Sequence, residues 1–456
     1  MNLQGLFSGG LGLLRSSRSL YHRSVLFVER KIFHVVPEGE MEHPLSLASQ
    51  RIGLVTAFSL PVLVLILAQM VYSNVGFDDR YNEYVNLARA DIARAISVPD
   101  PIAKRGDLIA TLDRLDKAEQ SSGQLDTDAL QLREQASILL DELDKVQRLN
   151  YQPALTKPLA AGAITSKLVA SNSDLFLLDA TGNDVARYVF NGASYDQDPG
   201  FQCKSGEYLD GEAQQIKIGR LIDIVPLSPT AQNGAILLGV DENLHLMYCQ
   251  STGAPNSAEL AVPDLGIKQV SLINMFDDTL FVLDKLGRSV YMYYGNGSAQ
   301  FKSAPVFAFS DQVPAGLSSA VNFVVGSDSI SFLSDDGHVT ACQFSHSAGV
   351  ASNCEETKTI TDTRPGYPSG PRLSDATFTQ MAITQQPNPA ILFLDQASQS
   401  VFVFNPNNLE LQKELQALMG ETGKLPTGKP VSLFAISPNK SLFLLIENQV
   451  YFAVLK

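Results

Sequence analysis

A short phrase recurs six times over the C-terminal two-thirds of this chain: an apolar run, a turn carrying an acidic or polar residue, then a second apolar run. It reads Leu175-Phe-Leu-Leu-Asp179 before Gly182, Ile236-Leu-Leu-Gly-Val-Asp241, and Leu280-Phe-Val-Leu-Asp284 before Gly287. It returns as Ile330-Ser-Phe-Leu-Ser-Asp335 before Gly337, Ile391-Leu-Phe-Leu-Asp395, and Leu442-Phe-Leu-Leu-Ile446 before Glu447-Asn448. Each copy reads as a β-hairpin, because an Asp supplies a local acceptor for turn N–H groups and Gly opens the backbone. Successive turns fall 43–62 residues apart. A hairpin repeated at that period predicts a β-propeller, one blade per copy and six blades in all.

The third copy divides most cleanly into four strands. Gln269–Met275, Thr279–Leu283, Ser289–Tyr294 and about Ser303–Ala308 are the expected strands a to d. Strand b is apolar at consecutive positions, as a central strand between neighbouring blades should be. Gly287 is expected to close the b–c turn at positive φ. The sixth copy runs out in strand c, at Tyr451-Phe-Ala-Val-Leu455. The segment around Asn150–Leu159 is expected to supply its missing strand d, which would close the ring and remove an exposed edge. The rival arrangement is an open stack or a sandwich. The predicted class is therefore mainly β, with the propeller over 150–456.

Upstream, residues 52–73 form an uncharged, mostly apolar run, bounded by Arg51 and followed by Asp78 and Asp79. At about 1.5 Å per residue a helix of that length covers about 33 Å, enough to cross a bilayer. Pro61 near its middle is tolerated in such a helix. The rival is a buried core helix. The first 51 residues carry Arg15, Arg18, Arg23, Arg30, Lys31 and Arg51 against Glu29, Glu38, Glu40 and Glu42. The chain as a whole has a formal net charge of −14. The positive-inside rule then places a basic tail (1–51) in the cytoplasm and the bulk of the chain outside, a signal-anchor arrangement. Because residues 1–28 are rich in Arg, Ser and Leu without an acid, a mitochondrial presequence, and hence the mitochondrial inner membrane, is the alternative.

Between span and propeller, residues 78–149 read as a helical stalk: about 78–97, 103–119 and 126–149, the last with Asp126 or Thr127 as N-cap. Leu132, Ala136, Leu139, Leu143 and Val146 make a heptad seam. It is expected to pack in cis on Leu108, Leu112 and Leu115, or in trans as a homodimeric coiled coil.

The chemistry-bearing residues are sparse. Charged residues are 18% of the chain, and the acidic balance argues against a nucleic-acid partner. No G-x-S-x-G elbow, P-loop or H-E-x-x-H stands in the sequence, and no catalytic, cofactor-binding or metal-ligating residue is nominated. Asn296-Gly-Ser298 is a lone sequon. The four cysteines, Cys203, Cys249, Cys342 and Cys354, lack C-x-x-C spacing. Four cysteines allow three pairings. Cys342 in strand c and Cys354 in the returning strand d are placed for a cross-strand bridge, leaving Cys203 with Cys249. Four free thiols are the alternative.

Gly219-Arg-Leu-Ile-Asp-Ile-Val225, Leu280–Asp284 with Val290-Tyr291, Ile391–Asp395 and the terminal Gln449-Val-Tyr451 carry a resemblance. Over about residues 50–456 the chain resembles the C-terminal half of Chloroflexota-type bacterial membrane proteins. In these, a span, an Ala/Leu/Glu-rich helical segment and a propeller often follow a cytoplasmic PPM-type phosphatase domain. The first 51 residues are too few for that phosphatase and hold no D-G-x-x motif, so neither its activity nor any functional residue is carried over.

The reading that follows is a membrane-anchored, non-enzymatic propeller that binds a protein, peptide or glycan outside the cytoplasm. Two others stand beside it. One is a six-bladed hydrolase or lactonase with a metal in the central channel; the other is a structural subunit of an envelope complex.

Overall fold

The structure is a computed structural model. It describes residues 59, 61–66 and 79–455, except 172, 229, 265, 310–311, 347–348, 386 and 420–422. Two compact units divide the chain at Arg80/Tyr81. In the first, residues 59 and 61–66 are helical, and Val62–Ile66 are exposed. Most of the expected span at 52–73, the whole expected tail at 1–51 and its presequence alternative lie outside the described residues. Among the described residues no helix is long and apolar enough to cross a membrane.

The second unit opens with three helices. Residues 81–97 form α1, Pro101–Ser122 form α2, and Thr127–Leu143 form α3. Asp100 caps α2 by accepting from the Ile102 and Ala103 N–H groups, and Pro101 stands where its missing N–H costs nothing. Gly123 ends α2 in the left-handed region. Asp126 caps α3 through the Ala129 N–H. The apolar seam packs in cis. Leu115 meets Val85, Ala88 and Ala129, while Leu108 meets Ile92, Ala95 and Ala136, with Leu112, Leu132, Leu139 and Leu143 against them.

One expectation fails here. The third helix was to run to 149, but it stops at Leu143, and Val146–Leu149 form a strand, β1. Val146 therefore leaves the seam. The pattern of spacings continues past the helix end, but the backbone there is claimed by tertiary pairing with the propeller.

The rest is a six-bladed β-propeller. After β2 (Gln152–Pro153), blade 1 comprises β3 (Thr165–Ala170), β4 (Asp174–Asp179), β5 (Val185–Phe190) and β6 (Tyr195–Gln197). An inserted hairpin, β7 (Gly206–Leu209) and β8 (Gln215–Ile218), precedes blade 2. That blade is β9 (Leu221–Pro226), β10 (Ala235–Asp241), β11 (His245–Gln250) and β12 (Asn256–Glu259). Blade 3 is β13 (Val270–Phe276), β14 (Thr279–Asp284), β15 (Ser289–Tyr294) and β16 (Val306–Phe307). Blade 4 is β17 (Ala320–Val325), β18 (Ser329–Ser334), β19 (Val339–Ser345) and β20 (Val350–Glu355). Blade 5 is β21 (Phe378–Thr384), β22 (Ala390–Asp395), β23 (Ser400–Phe404) and β24 (Leu411–Ala417). Blade 6 is β25 (Val431–Ile436), β26 (Ser441–Ile446) and β27 (Gln449–Val454), completed by β2.

Each innermost strand touches the next around the ring, and β25 returns to β3. Closure is by β2, which pairs antiparallel with β27 as Gln152↔Phe452 and Pro153↔Tyr451. A single blade thus joins residues from both ends of the propeller sequence. The second strands are buried along their length, and the apolar clusters lie between blades, as in the blade 6–blade 1 core of Leu175, Leu177, Phe443 and Leu445.

The blade rims are laced together. β1 pairs in parallel with β24, making a fifth strand on blade 5. Parallel bridges join Leu155 to Tyr195, Phe309 to Ala351 and Thr361 to Glu410. Outer edges are thereby covered by neighbouring chain. At blade 5 the cover is polar as well. Arg105 from α2 pairs with Asp144 at 2.7 Å and lies over the Tyr367 ring, which Arg364 also contacts at 3.9 Å from its centroid. Arg364 is buried between Asp362 and Asp375. Arg148 of β1 reaches Asp141 and Gln416. The helices are therefore bound along the side of blade 5 and belong to the same compact unit as the propeller. The sequence pictured them as a separate stalk.

Candidate functional site

The repeated acid, the most conspicuous candidate in the sequence, is used for structure. Asp241 Oδ1 accepts from the Asn243 and His245 N–H groups, and its Oδ2 accepts from Gly219 N–H at 2.8 Å and meets His245 Nδ1. Asp284 accepts from Lys268, Gln269 and Gly287 N–H groups. Each of these carboxylates ties the b–c turn to the connector entering its own blade. Asp395 and Asp179 hold their turns alone, through Ala397 N–H and the Ser398 hydroxyl, and through the Thr181 hydroxyl and Asn183 N–H.

Two residues differ from expectation. In blade 4 the equivalent of the repeated acid is Ser334, which pairs with Ala320 as Asp241 does with Leu221, while Asp335 is exposed one place beyond. Gly287 has no positive φ; Arg288 takes it, at 51°. Gly287 is required for space, since a Cβ there would stand 2.2 Å from Asp284 Oδ2.

The channel wall is the six inner strands. Each carries a β-bulge at its second residue, where the register against strand b shifts by one: Ser166, Ile222, Ser271, Val321, Thr379 and Ser432. A bulge leaves a strand-b carbonyl short of a ladder partner. In blades 1, 5 and 6 the bulge hydroxyl donates to it: Ser166 to Leu178 and Asp179, Thr379 to Leu394, Ser432 to Leu445. Polar side chains then stitch one inner strand to the next. Lys167 pairs with Asp223 at 2.9 Å, Asp223 Oδ2 accepts from Ile273 N–H, Asn274 donates to the Phe323 carbonyl, and Gln380 bridges to Ser432 and Phe434. Asp223 is the one acid on these strands, and both its oxygens are engaged. Among the described residues no three His, Cys, Asp or Glu side chains gather as a metal site.

The cysteines pair as Cys203–Cys249 and Cys342–Cys354, with Cα–Cα distances of 5.4 and 4.0 Å. The second is the cross-strand bridge of blade 4. The first fixes the start of the β7–β8 insertion to strand c of blade 2, where the Ser257 hydroxyl also donates to the Tyr208 carbonyl.

A cleft of about 640 Å³ opens where the ring closes. Its origin is local. β2 has only two residues, so the outer part of blade 1 lacks a full-length neighbour from blade 6. The chain leaving β2 is held to blade 6 by Leu155–Gln449 and Leu159–Asn448 hydrogen bonds, and to blade 1 by Thr156 N–H donating to the Tyr195 carbonyl at 3.0 Å. This connector is one wall. The blade 1 face bearing Leu177, Ala186, Tyr188 and Gln197 is the other. Pro158, Leu159, Ile164 and Pro199 make the cleft partly apolar; Lys157, Asp179, Asp184 and Asp196 give it an acidic excess. The Thr156 hydroxyl beside it and the Asn191 amide, which donates to Oδ2 at 2.8 Å, with Lys157 nearby, hold the Asp196 carboxyl below its ordinary range. Burial pushes the Tyr188 phenol up. The cleft is not legible in the sequence, because one wall is a connector outside the repeat, held in place by hydrogen bonds to blade 6, and the other is the face of blade 1. The available signal was the Pro- and Thr-containing stretch Pro153–Pro158, too polar and kinked to continue a strand.

No family model matches the chain, and no curated protein matches it in sequence. Among solved structures it is similar to a streptogramin B lyase (10% identity, TM-score 0.39), over 67% of this chain and 97% of that one. It is also similar to the WD40 β-propeller domain of Doa1 (11% identity, TM-score 0.39), again over 67% of this chain and 97% of that one. PorZ, a surface component of the type-IX secretion system of Porphyromonas gingivalis, is similar at 10% identity and TM-score 0.32, over 66% of this chain and 37% of that one. At these values the likenesses carry no functional argument, and the assignment as a six-bladed propeller rests on the strand pairing itself.

Proposed function

We propose that this protein is a membrane-anchored propeller that recognises a protein or peptide partner outside the cytoplasm through the cleft at its closing seam. The cleft is the observation that carries the reading: it is open and mixed in polarity, whereas Asp241, Asp284 and the channel acid Asp223 are committed to holding the fold. The apolar run at 52–73, with basic residues before it, supports the anchor and its orientation. The two disulfides support an oxidising compartment for the propeller.

Site-specific photo-cross-linking tests the reading on the full-length protein in its membrane. A cross-linking residue at Ile164, on the cleft, is expected to give a discrete adduct that the same residue at Leu286, an exposed position on blade 3, does not. Equal adducts from both positions would refute the cleft as the recognition site. A membrane-impermeant thiol reagent tests orientation. It should label Ala397→Cys in intact cells and Ser16→Cys only after the membrane is opened.

A further inference from the structure

Resting on the reading above, we infer that the cleft takes a ligand with an apolar body and a cationic end, namely an arginine or lysine side chain of a peptide. Three features of the lining point there.

The first is charge. Asp179, Asp184 and Asp196 face one base, Lys157. Asp196 accepts from the Asn191 amide, but the other two carboxylates are underused. Asp184 takes no hydrogen bond to its side chain from the described residues, and the bonds to the Asp179 side chain go to Oδ1 alone. This contrasts with Asp241 and Asp284, whose oxygens are both occupied.

The second is Tyr188. It is only 5% exposed and lines the cleft, yet its hydroxyl has no protein partner among the described residues. The ring is enclosed while the hydroxyl, which is not among the fully buried oxygens, is open to a ligand's hydrogen bond inside the site.

The third is the shape of the apolar part. Leu159, Ile164, Leu177 and Pro199 are aliphatic, and Ile164 is 73% exposed. An aliphatic wall ending in carboxylates suits a side chain that lays methylenes on apolar surface and presents a charged head. A sugar ring would be better served by an exposed aromatic face, and the one aromatic side chain of the lining is buried.

Calorimetry on the full-length chain in detergent tests this with three probes: Ac-Leu-Arg-NH2, its uncharged citrulline counterpart, and cellobiose. The arginine peptide should bind about tenfold or more tighter than the citrulline peptide, the scale of one charge-assisted hydrogen bond. Asp184→Asn should remove most of that preference. Tyr188→Phe should weaken both peptides by about threefold or more without changing the unfolding temperature appreciably. Ala186→Trp should abolish binding by filling the cleft, and Ile164→Trp on the exposed rim serves if that variant unfolds. Equal affinity for the two peptides, or no binding of the arginine peptide at millimolar concentration, overturns the cationic assignment. Cellobiose binding lost in the filled cleft also overturns it, but leaves the cleft standing as a recognition site. Arginine-peptide binding that survives both tryptophan variants overturns the two together.

Discussion

At the scale of single residues, the acids of the repeat have a division of labour that their identity alone conceals. Asp241 and Asp284 each gather three or more donors, spanning a turn and the chain entering the blade, while Asp179 and Asp395 serve only their turns. Crowding around Asp284 sets a sharp test. Gly287→Ala would drive a methyl into the carboxylate and displace the Gly287 N–H that bonds it, so a loss of about 1–3 kcal/mol is expected in denaturant unfolding. Glu414 tests burial. It is buried beside Arg364, Gln416 and Ser400, and desolvation raises its pKa above the ordinary carboxylate value. Its contribution to stability is therefore present at low pH, below the unfolded pKa, and is lost as pH rises through the folded one. Glu414→Gln should accordingly shift the unfolding temperature more favourably at pH 7 than at pH 4. The opposite pH trend would mean that Arg364 stabilises the carboxylate more than burial disfavours it. The turn role of the acids was legible, because Asp before a Gly- or Asn-containing turn has a mechanism. Ser334 standing in for an acid was not, because only strand register reveals equivalence.

At the scale of elements, consecutive apolar residues identified the buried second strands, and the third blade's strand c was placed at its observed bounds. The bulges were not legible. A register shift depends on a partner strand, and the Ser or Thr at a bulge looks like any polar residue on a half-exposed strand. The end of α3 was not legible for a related reason: Val146–Leu149 pairs with β24, more than 260 residues away in sequence. The disulfides act on elements of different reach. Cys203–Cys249 encloses a separation of 46 residues and Cys342–Cys354 one of 12. Loop-closure entropy predicts that replacing the first pair with serines costs more than replacing the second, both falling at about 2–4 kcal/mol. Denaturant midpoints of the two double variants check the order.

At the scale of the whole molecule, closure does two things. It removes the edges of the first and last blades by building blade 6 from chain segments about 300 residues apart. It also leaves a cleft, because the closing strand is only two residues long. The ring and its closing segment were legible from the count of hairpins and the unfinished sixth unit. The cleft was not, since its connector wall carries no repeat pattern and is set against blade 1 by hydrogen bonds to blade 6. A helical layer bound to blade 5 by Arg105, Tyr367 and Arg364 makes the second unit more than a bare ring. The most direct test of the central claim, recognition at the seam, is hydrogen–deuterium exchange on the full-length protein with and without Ac-Leu-Arg-NH2. The account predicts slowed exchange concentrated in 154–165 and 184–199, the two walls of the cleft. Unchanged exchange in both segments, with protection instead along the inner strands or the turns of blades 2–5, would contradict it.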